Sequence, residues 1–199
     1  RLKDEDYIDK IAEEFLYTFF ALFDYFYLAA KNTQTNGNKF EHLILKELVA
    51  ILGNIVKDEI HSKPFIEKNL HLVLIDVKIS FYSLPKLLKN TIGALINLTT
   101  SNEIRENISK VAAFIQSIYL VLDKYQDNQA IIDYELKLIL NVMKNDITVK
   151  AFIGGDLTFY LLLFIKRYTT HDEIIFNSLK ILRSLILKSK KYFKFRKGI

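Results

Sequence analysis

The chain has 199 residues, half of them hydrophobic, with six glycines, two prolines (Pro64 and Pro85) and a net charge of +5. So few turn-forming residues exclude an all-β fold, which needs a turn signal about every 8–12 residues, and point to long helices joined by short polar loops. The absence of cysteine excludes a disulfide framework, a cysteine-based zinc site and a thiol nucleophile.

The positive charge is mostly lysine; arginine occurs only at Arg1, Arg105, Arg167, Arg183 and Arg196. A chain rich in Lys, Asn, Ile, Phe and Tyr reads as the product of an AT-rich genome, so basicity alone is a poor pointer to nucleic acid. The charge is uneven. Asp4, Glu5, Asp6, Asp9, Glu13 and Glu14 crowd the start, whereas the last twenty residues carry Lys and Arg and no acid. The first residue is Arg1, which reads as a fragment or processed product, and a signal peptide is neither assigned nor excluded.

Phe15 to Ala30 (FLYTFFALFDYFYLAA) is the most apolar stretch. It is shorter than the roughly 20 apolar residues of a membrane span and contains Asp24, so it is expected to be a helix buried on most of its surface. Phe19, Phe20, Phe23 and Phe26 are expected to meet a further repeat or a partner. Lys31 to Lys39, with Asn36-Gly37-Asn38 inside it, reads as a loop. Residues 1–39 thus form an N-terminal apolar helix and polar loop, a capping or degenerate unit.

Residues 40–199 repeat. Asn54, Asn97, Asn141 and Ser184 are spaced by 43, 44 and 43 residues. Five positions before these anchors stand Val49, Ile92, Leu136 and Leu179; two before, Leu52, Leu95, Ile139 and Leu182; one after, Ile55, Leu98, Val142 and Leu185. Steps of three place these residues on one helix face. Eleven positions after the anchors stand Phe65, Ile108, Phe152 and Phe195, each beyond a polar break in the next element. Long helices are predicted over 41–57, 84–99, 129–144 and 171–188. Ser83 and Pro85 suit a helix start, and Thr170-His171-Asp172-Glu173 reads as a capping box. The Asn-x-Ser/Thr matches at Asn97 and Asn107 fall within predicted helices and are read as chance.

A period of about 43 residues lies in the range of armadillo and HEAT units. Ile92-Gly93-Ala94-Leu95-Ile96-Asn97-Leu98-Thr99 resembles the third-helix signature of the armadillo family, and Phe152-Ile153-Gly154-Gly155-Asp156-Leu157 resembles the bend between its first two helices. Gly198 falls 43 residues after Gly155, as if another unit began there. The resemblance implies an all-α, right-handed α-solenoid whose third helices line a concave groove. It also implies an asparagine ladder, here Asn54, Asn97 and Asn141, that holds the backbone of an extended peptide; Ser184 breaks it. Solvated or kink-capping asparagines are the plainer alternative. The tryptophans by which importin α grips basic cargo are absent, and the matching positions are Ala50, Gly93, Lys137 and Lys180, so nuclear-import cargo is excluded. Lys137, Lys144, Lys180, Arg183 and Lys188 make the groove more basic toward the C-terminus and favour an acidic segment, unless they are simply solvated.

His42, His61, His71 and His171 show no metal-ligand spacing, and no phosphate-binding loop or nucleophile elbow occurs. No catalytic residue, metal ligand or cofactor is assigned. The expectation is a noncatalytic, cytoplasmic, eukaryotic scaffold or adaptor that binds another protein. The alternative is that the tail from Lys188 to Lys197, which interleaves basic residues with Tyr192, Phe193 and Phe195, binds nucleic acid or an anionic membrane.

Overall fold

The computed structural model describes the backbone of residues 2–33, 40–57 and 59–196, and side chains within 14–33, 40–57 and 63–189. The described residues form eleven helices and no strand. They are α1 (Leu2–Asn32), α2 (Phe40–Ile55), α3 (Glu59–Glu67), α4 (Leu70–Ser80), α5 (Pro85–Leu98), α6 (Asn102–Ser109), α7 (Ala112–Lys124), α8 (Gln129–Val142), α9 (Asp146–Ile153), α10 (Leu157–Arg167) and α11 (Asp172–Arg196). No single helix among them is long and apolar enough to cross a membrane.

From α3 onward the helices recur in threes. A short helix (α3, α6, α9) is followed by a middle one (α4, α7, α10) and then a long one (α5, α8, α11). Local chemistry sets the starts. Pro85 opens α5, where a missing N–H costs nothing. The side chain of Asn128 accepts from Ile131 N at the start of α8, and that of Asn145 accepts from Ile147 N and Thr148 N at the start of α9. Arg105, buried in α6, donates to the carbonyls of Thr99 and Thr100 at 2.6 Å each, closing the end of α5. Helices α9 and α10 meet at 80° across Gly154-Gly155-Asp156. A Cβ on Gly155 would fall 2.3 Å from the Tyr119 hydroxyl, so only glycine fits this bend without displacing that ring.

The long helices pack in chain order, α2 on α5, α5 on α8 and α8 on α11, with α4 on α5 and α10 on α11 beside them. The stripe read from the sequence is the core of this stack. Val49, Ile92 and Leu136 are fully buried, as are Leu52, Leu95 and Ile139, and Phe65, Ile108 and Phe152 seal it from the short helices. Each such side chain contributes about 1.5–3 kcal/mol by leaving water.

Hydrogen bonds repeat with the same period. Asn97 donates to the Gly53 carbonyl at 2.7 Å, Asn141 to Ile96 at 3.0 Å and Asn90 to Lys46 at 3.2 Å. The residues ending α7 and α10 do likewise: the hydroxyl of Tyr125 donates to the Tyr82 carbonyl at 2.7 Å and that of Tyr168 to Gln126 at 2.6 Å. Each bond ties a residue to its neighbour one unit earlier.

Four expectations need correction. Helix α1 buries one face only: Phe19, Phe23 and Ala30 are buried, while Phe15, Tyr17, Leu22, Tyr25 and Leu28 are exposed. Phe19 and Phe23 therefore belong to the chain's own core, where Phe19 and Phe20 meet Phe65, and Phe20 and Phe26 are half-buried. Lys31 and Asn32 are helical rather than looped, because Lys31 reaches Asp76 of α4 at 2.8 Å and Tyr27 donates to the same carboxylate; Asn36-Gly37-Asn38 lies outside the described residues. Helix α11 starts at Asp172, with the His171 carbonyl accepting from Ile174 and Ile175, one residue past the expected cap. It then runs to Arg196 with no break, so Phe195 is not in a separate element; the helix-forming Lys190, Lys191, Lys194 and Arg196 carry it through. The side chain of Phe195 and the whole of Gly198 lie outside the described residues.

One polar contact crosses the core. Lys78 Nζ of α4 lies 2.6 Å from Glu135 Oε1 of α8 and 3.1 Å from Ser117 Oγ of α7, and both charged side chains are 0% exposed. Burial pulls the lysine pKa down and pushes the carboxyl up, and their mutual attraction opposes both shifts. Glu135→Gln should cost about 3–5 kcal/mol, because it strands a buried ammonium, whereas Lys78→Met with Glu135→Leu should recover most of that. Urea denaturation of the three proteins decides it.

His71 of α4 is also buried, and burial lowers its pKa below the ordinary value, against a smaller opposing pull from Glu103. Below about pH 6.5 the unfolded chain binds this proton and the folded chain does not, so stability should fall as pH falls from there. The slope, bounded at about 1.4 kcal/mol per pH unit for one proton, should flatten in His71→Leu, as read from denaturation midpoints between neutral and mildly acidic pH.

Candidate functional site

Along one side of α2, α5 and α8 lies an open cavity of about 460 Å³. Its floor is made of small residues, Ala50, Gly53, Gly93 and Ala94. A Cβ on Gly93 would lie 3.3 Å from the Tyr134 ring of α8, a close approach that the ring would have to relieve by a small shift. Three lysines stand around the floor. Lys57 donates to Asn54 Oδ1 at 2.9 Å, Lys89 lies 5.0 Å from the centroid of Tyr134, and Lys137 pairs with Asp133 at 2.8 Å. The hydrogen bond that Lys137 donates to Asp133 raises its pKa, so it stays charged at neutral pH. Among the described residues only Lys137 of these three pairs with a carboxylate, and the cavity's lining holds the three lysines and no acid.

Of the residues singled out from the sequence, Asn54, Asn97 and Lys137 are brought together around this cavity. Asn97 and Asn141 use an amide N–H to bond the preceding long helix, as described above, and Asn141 also lies 3.3 Å from Thr99 Oγ1. Asn54 has no preceding long helix, and its side chain is exposed. Lys144 is exposed on the turn after α8, Lys180 lies 4.0 Å from the Phe176 ring centroid on α11, and Arg183 is exposed one turn further on. None of these three lines the cavity. Lys188 instead reaches Asp146 at 2.8 Å and the Met143 carbonyl at 3.3 Å.

Lys57, Lys89, Asn90 and Tyr134 complete the site and were not singled out from the sequence. Their register held the signal. Positions eight and four before an anchor, the anchor itself and three after it share one helix face, and Lys89, Gly93 and Asn97 occupy three of these on α5.

A second open cavity, of about 740 Å³, lies where α8 and α11 begin, and its wall includes Asp127, Asp133, Asp172, Glu173 and His171. His171 Nδ1 lies 2.9 Å from Gln129 Nε2. Among the described residues no three His, Cys, Asp or Glu side chains are grouped to hold a metal ion. The side of the stack thus changes sign, basic across the middle of α5 and acidic at the first turns of α8 and α11.

No protein-family model matches the chain, and neither does any curated protein or solved structure.

The asparagines have separable roles. Asn97→Ala should cost about 1–3 kcal/mol, since it removes the side-chain donor to the Gly53 carbonyl, and Asn141→Ala about 0.5–1.5 kcal/mol, since Thr99 Oγ1 still donates to the Ile96 carbonyl, whereas Asn54→Ala should change stability by less than about 0.5 kcal/mol. Thermal melts of the three variants test this.

Proposed function

We propose that the chain is an α-solenoid of armadillo-like repeats, right-handed as that family is, and acts as a noncatalytic module that holds an acidic, extended segment of another protein. The support for the fold is the period of about 43 residues, its recurrence in the helix triplets and the stacking of long helices in chain order. The observation that carries the function is the lysine-ringed cavity on α2, α5 and α8. Lys57 and Lys89 attract and orient carboxylates, and the low floor of Gly53 and Gly93 lets a peptide backbone approach. Asn54 offers its amide N–H to that backbone while its Oδ1 accepts from Lys57, and Asn97, whose amide donates to the Gly53 carbonyl, offers its Oδ1. Tyr134 offers an apolar ring edge beside them. A cytoplasmic scaffold or adaptor role goes with such a module.

Fluorescence anisotropy with a labelled ten-residue peptide of alternating Glu and Ser, beside its Gln counterpart, tests this reading. The Glu peptide should bind more tightly, and its affinity should fall as salt rises. Lys57→Ala, Lys89→Ala and Lys137→Ala together should weaken it about ten-fold, three contacts of about 0.5 kcal/mol each. Equal binding of the two peptides, or indifference to the triple substitution, would contradict the assignment.

A further inference from the structure

The cavity on α2, α5 and α8 holds more positive charge than one carboxylate can match. Lys31, Lys78 and Lys188, which reach across helices elsewhere, each end on a carboxylate at 2.6–2.8 Å. Lys57 and Lys89 do not, among the described residues. Lys57 donates to the neutral Asn54 Oδ1 at 2.9 Å, and Lys89 stands 5.0 Å from the Tyr134 ring centroid. Lys137 is matched once, by Asp133, and no acid lines the cavity. The three cations come from different elements, the turn after α2, α5 and α8, yet border one volume of about 460 Å³. Gathering them there costs repulsion that an anion in the cavity would remove.

The count of charges selects the anion. One glutamate carboxylate neutralises one of the two unmatched lysines, and two carboxylates that neutralise both also repel each other. A phosphomonoester carries about −1.5 to −2 charges at pH 7, with three acceptor oxygens on one atom. A single such group answers Lys57 and Lys89 together. The lining holds no arginine, whose planar fork fits a carboxylate edge-on; lysine meets a tetrahedral oxyanion as a point charge. The small floor residues Ala50, Gly53, Gly93 and Ala94 keep the volume open for it.

We propose that the cavity takes a phosphorylated side chain within the partner's acidic segment, so that phosphorylation of the partner switches the association on. This rests on the reading that the cavity holds such a segment. Lys57 and Lys89 share the phosphate oxygens, Asn54 and Asn97 hold the backbone, and Lys137, already paired, adds attraction at longer range. An unmodified serine or threonine brings no charge to the two free ammonium groups.

Fluorescence anisotropy tests this with three labelled ten-residue peptides of alternating Glu and Ser that differ at one central position: serine, glutamate or phosphoserine. Near neutral pH the phosphoserine peptide should bind about ten-fold more tightly than the others, the gain from one more hydrogen bond between charged groups. That advantage should vanish by about pH 5, where the phosphate has lost its second charge (pKa about 6) and glutamate is still mostly ionised. Lys57→Ala with Lys89→Ala should also erase it. Lys86→Ala with Lys166→Ala, exposed lysines that line neither cavity, should leave it unchanged. Inorganic phosphate at about 1 mM, a probe for a free ion of millimolar affinity, should not displace the peptide. Phosphoserine bound no more tightly than glutamate, an advantage that survives the loss of Lys57 and Lys89, or displacement by phosphate would each overturn the proposal. If the Glu peptide still outbinds its Gln counterpart in those cases, the acidic-segment reading stands and only the phosphate is lost.

Discussion

Each long helix of this chain has two opposite apolar faces and no means of covering both by itself. On α5, Leu87, Ile92, Ala94 and Leu95 are all buried, and α2, α8 and α4 together cover them. That constraint orders the molecule. It makes the long helices stack in chain order, aligns their outer sides into one surface, and leaves α2 and α11 each with a face uncovered. Stability in such an array adds up from neighbouring contacts rather than from one central core.

Apolar stripes alone set spacing loosely, since Leu, Ile and Val interchange with little penalty. The polar contacts set the register. Asparagine amides at the anchors and tyrosine hydroxyls at the ends of α7 and α10 each reach a carbonyl one unit back, and a slip of one residue would break them all. The Lys78–Glu135 pair works across a longer reach, joining α4 to α8 past α7. Such a pair adds little net stability compared with apolar residues, but it punishes any packing that separates its members.

The long helices were legible in the sequence because four copies of one stripe reinforce each other, and the ends of α2, α5 and α8 fall within two residues of their expected places. The bend at Gly154-Gly155 was legible for a different reason, the glycine pair between two apolar runs that resembles the bend between two short helices. Helix α1 was not. It has no repeat partner, so its many aromatics gave no sign of which face would be covered, and Phe19 and Phe23 turned inward while Tyr17 and Tyr25 did not. The extension of α11 was hidden because lysine suits a helix as well as a loop. In the candidate site, Asn54, Asn97 and Lys137 followed from the anchor register, but Lys89 and Tyr134 depend on how α8 leans over α5, which no single helix encodes. Lys78 and Glu135 left a trace, a charge within an apolar helix and another at a core position, but only the fold reveals that they meet.

The proposed binding side depends on the same order, because its lysines come from the turn after α2, from α5 and from α8, and converge only when α5 lies between α2 and α8. Residue-resolved amide hydrogen exchange tests that order most directly. The amides of α5 and α8, flanked on both sides, should exchange slowest, and those of α1 and the last turns of α11 fastest. Exchange in α5 as fast as in α1 would contradict the stacked arrangement on which the account rests.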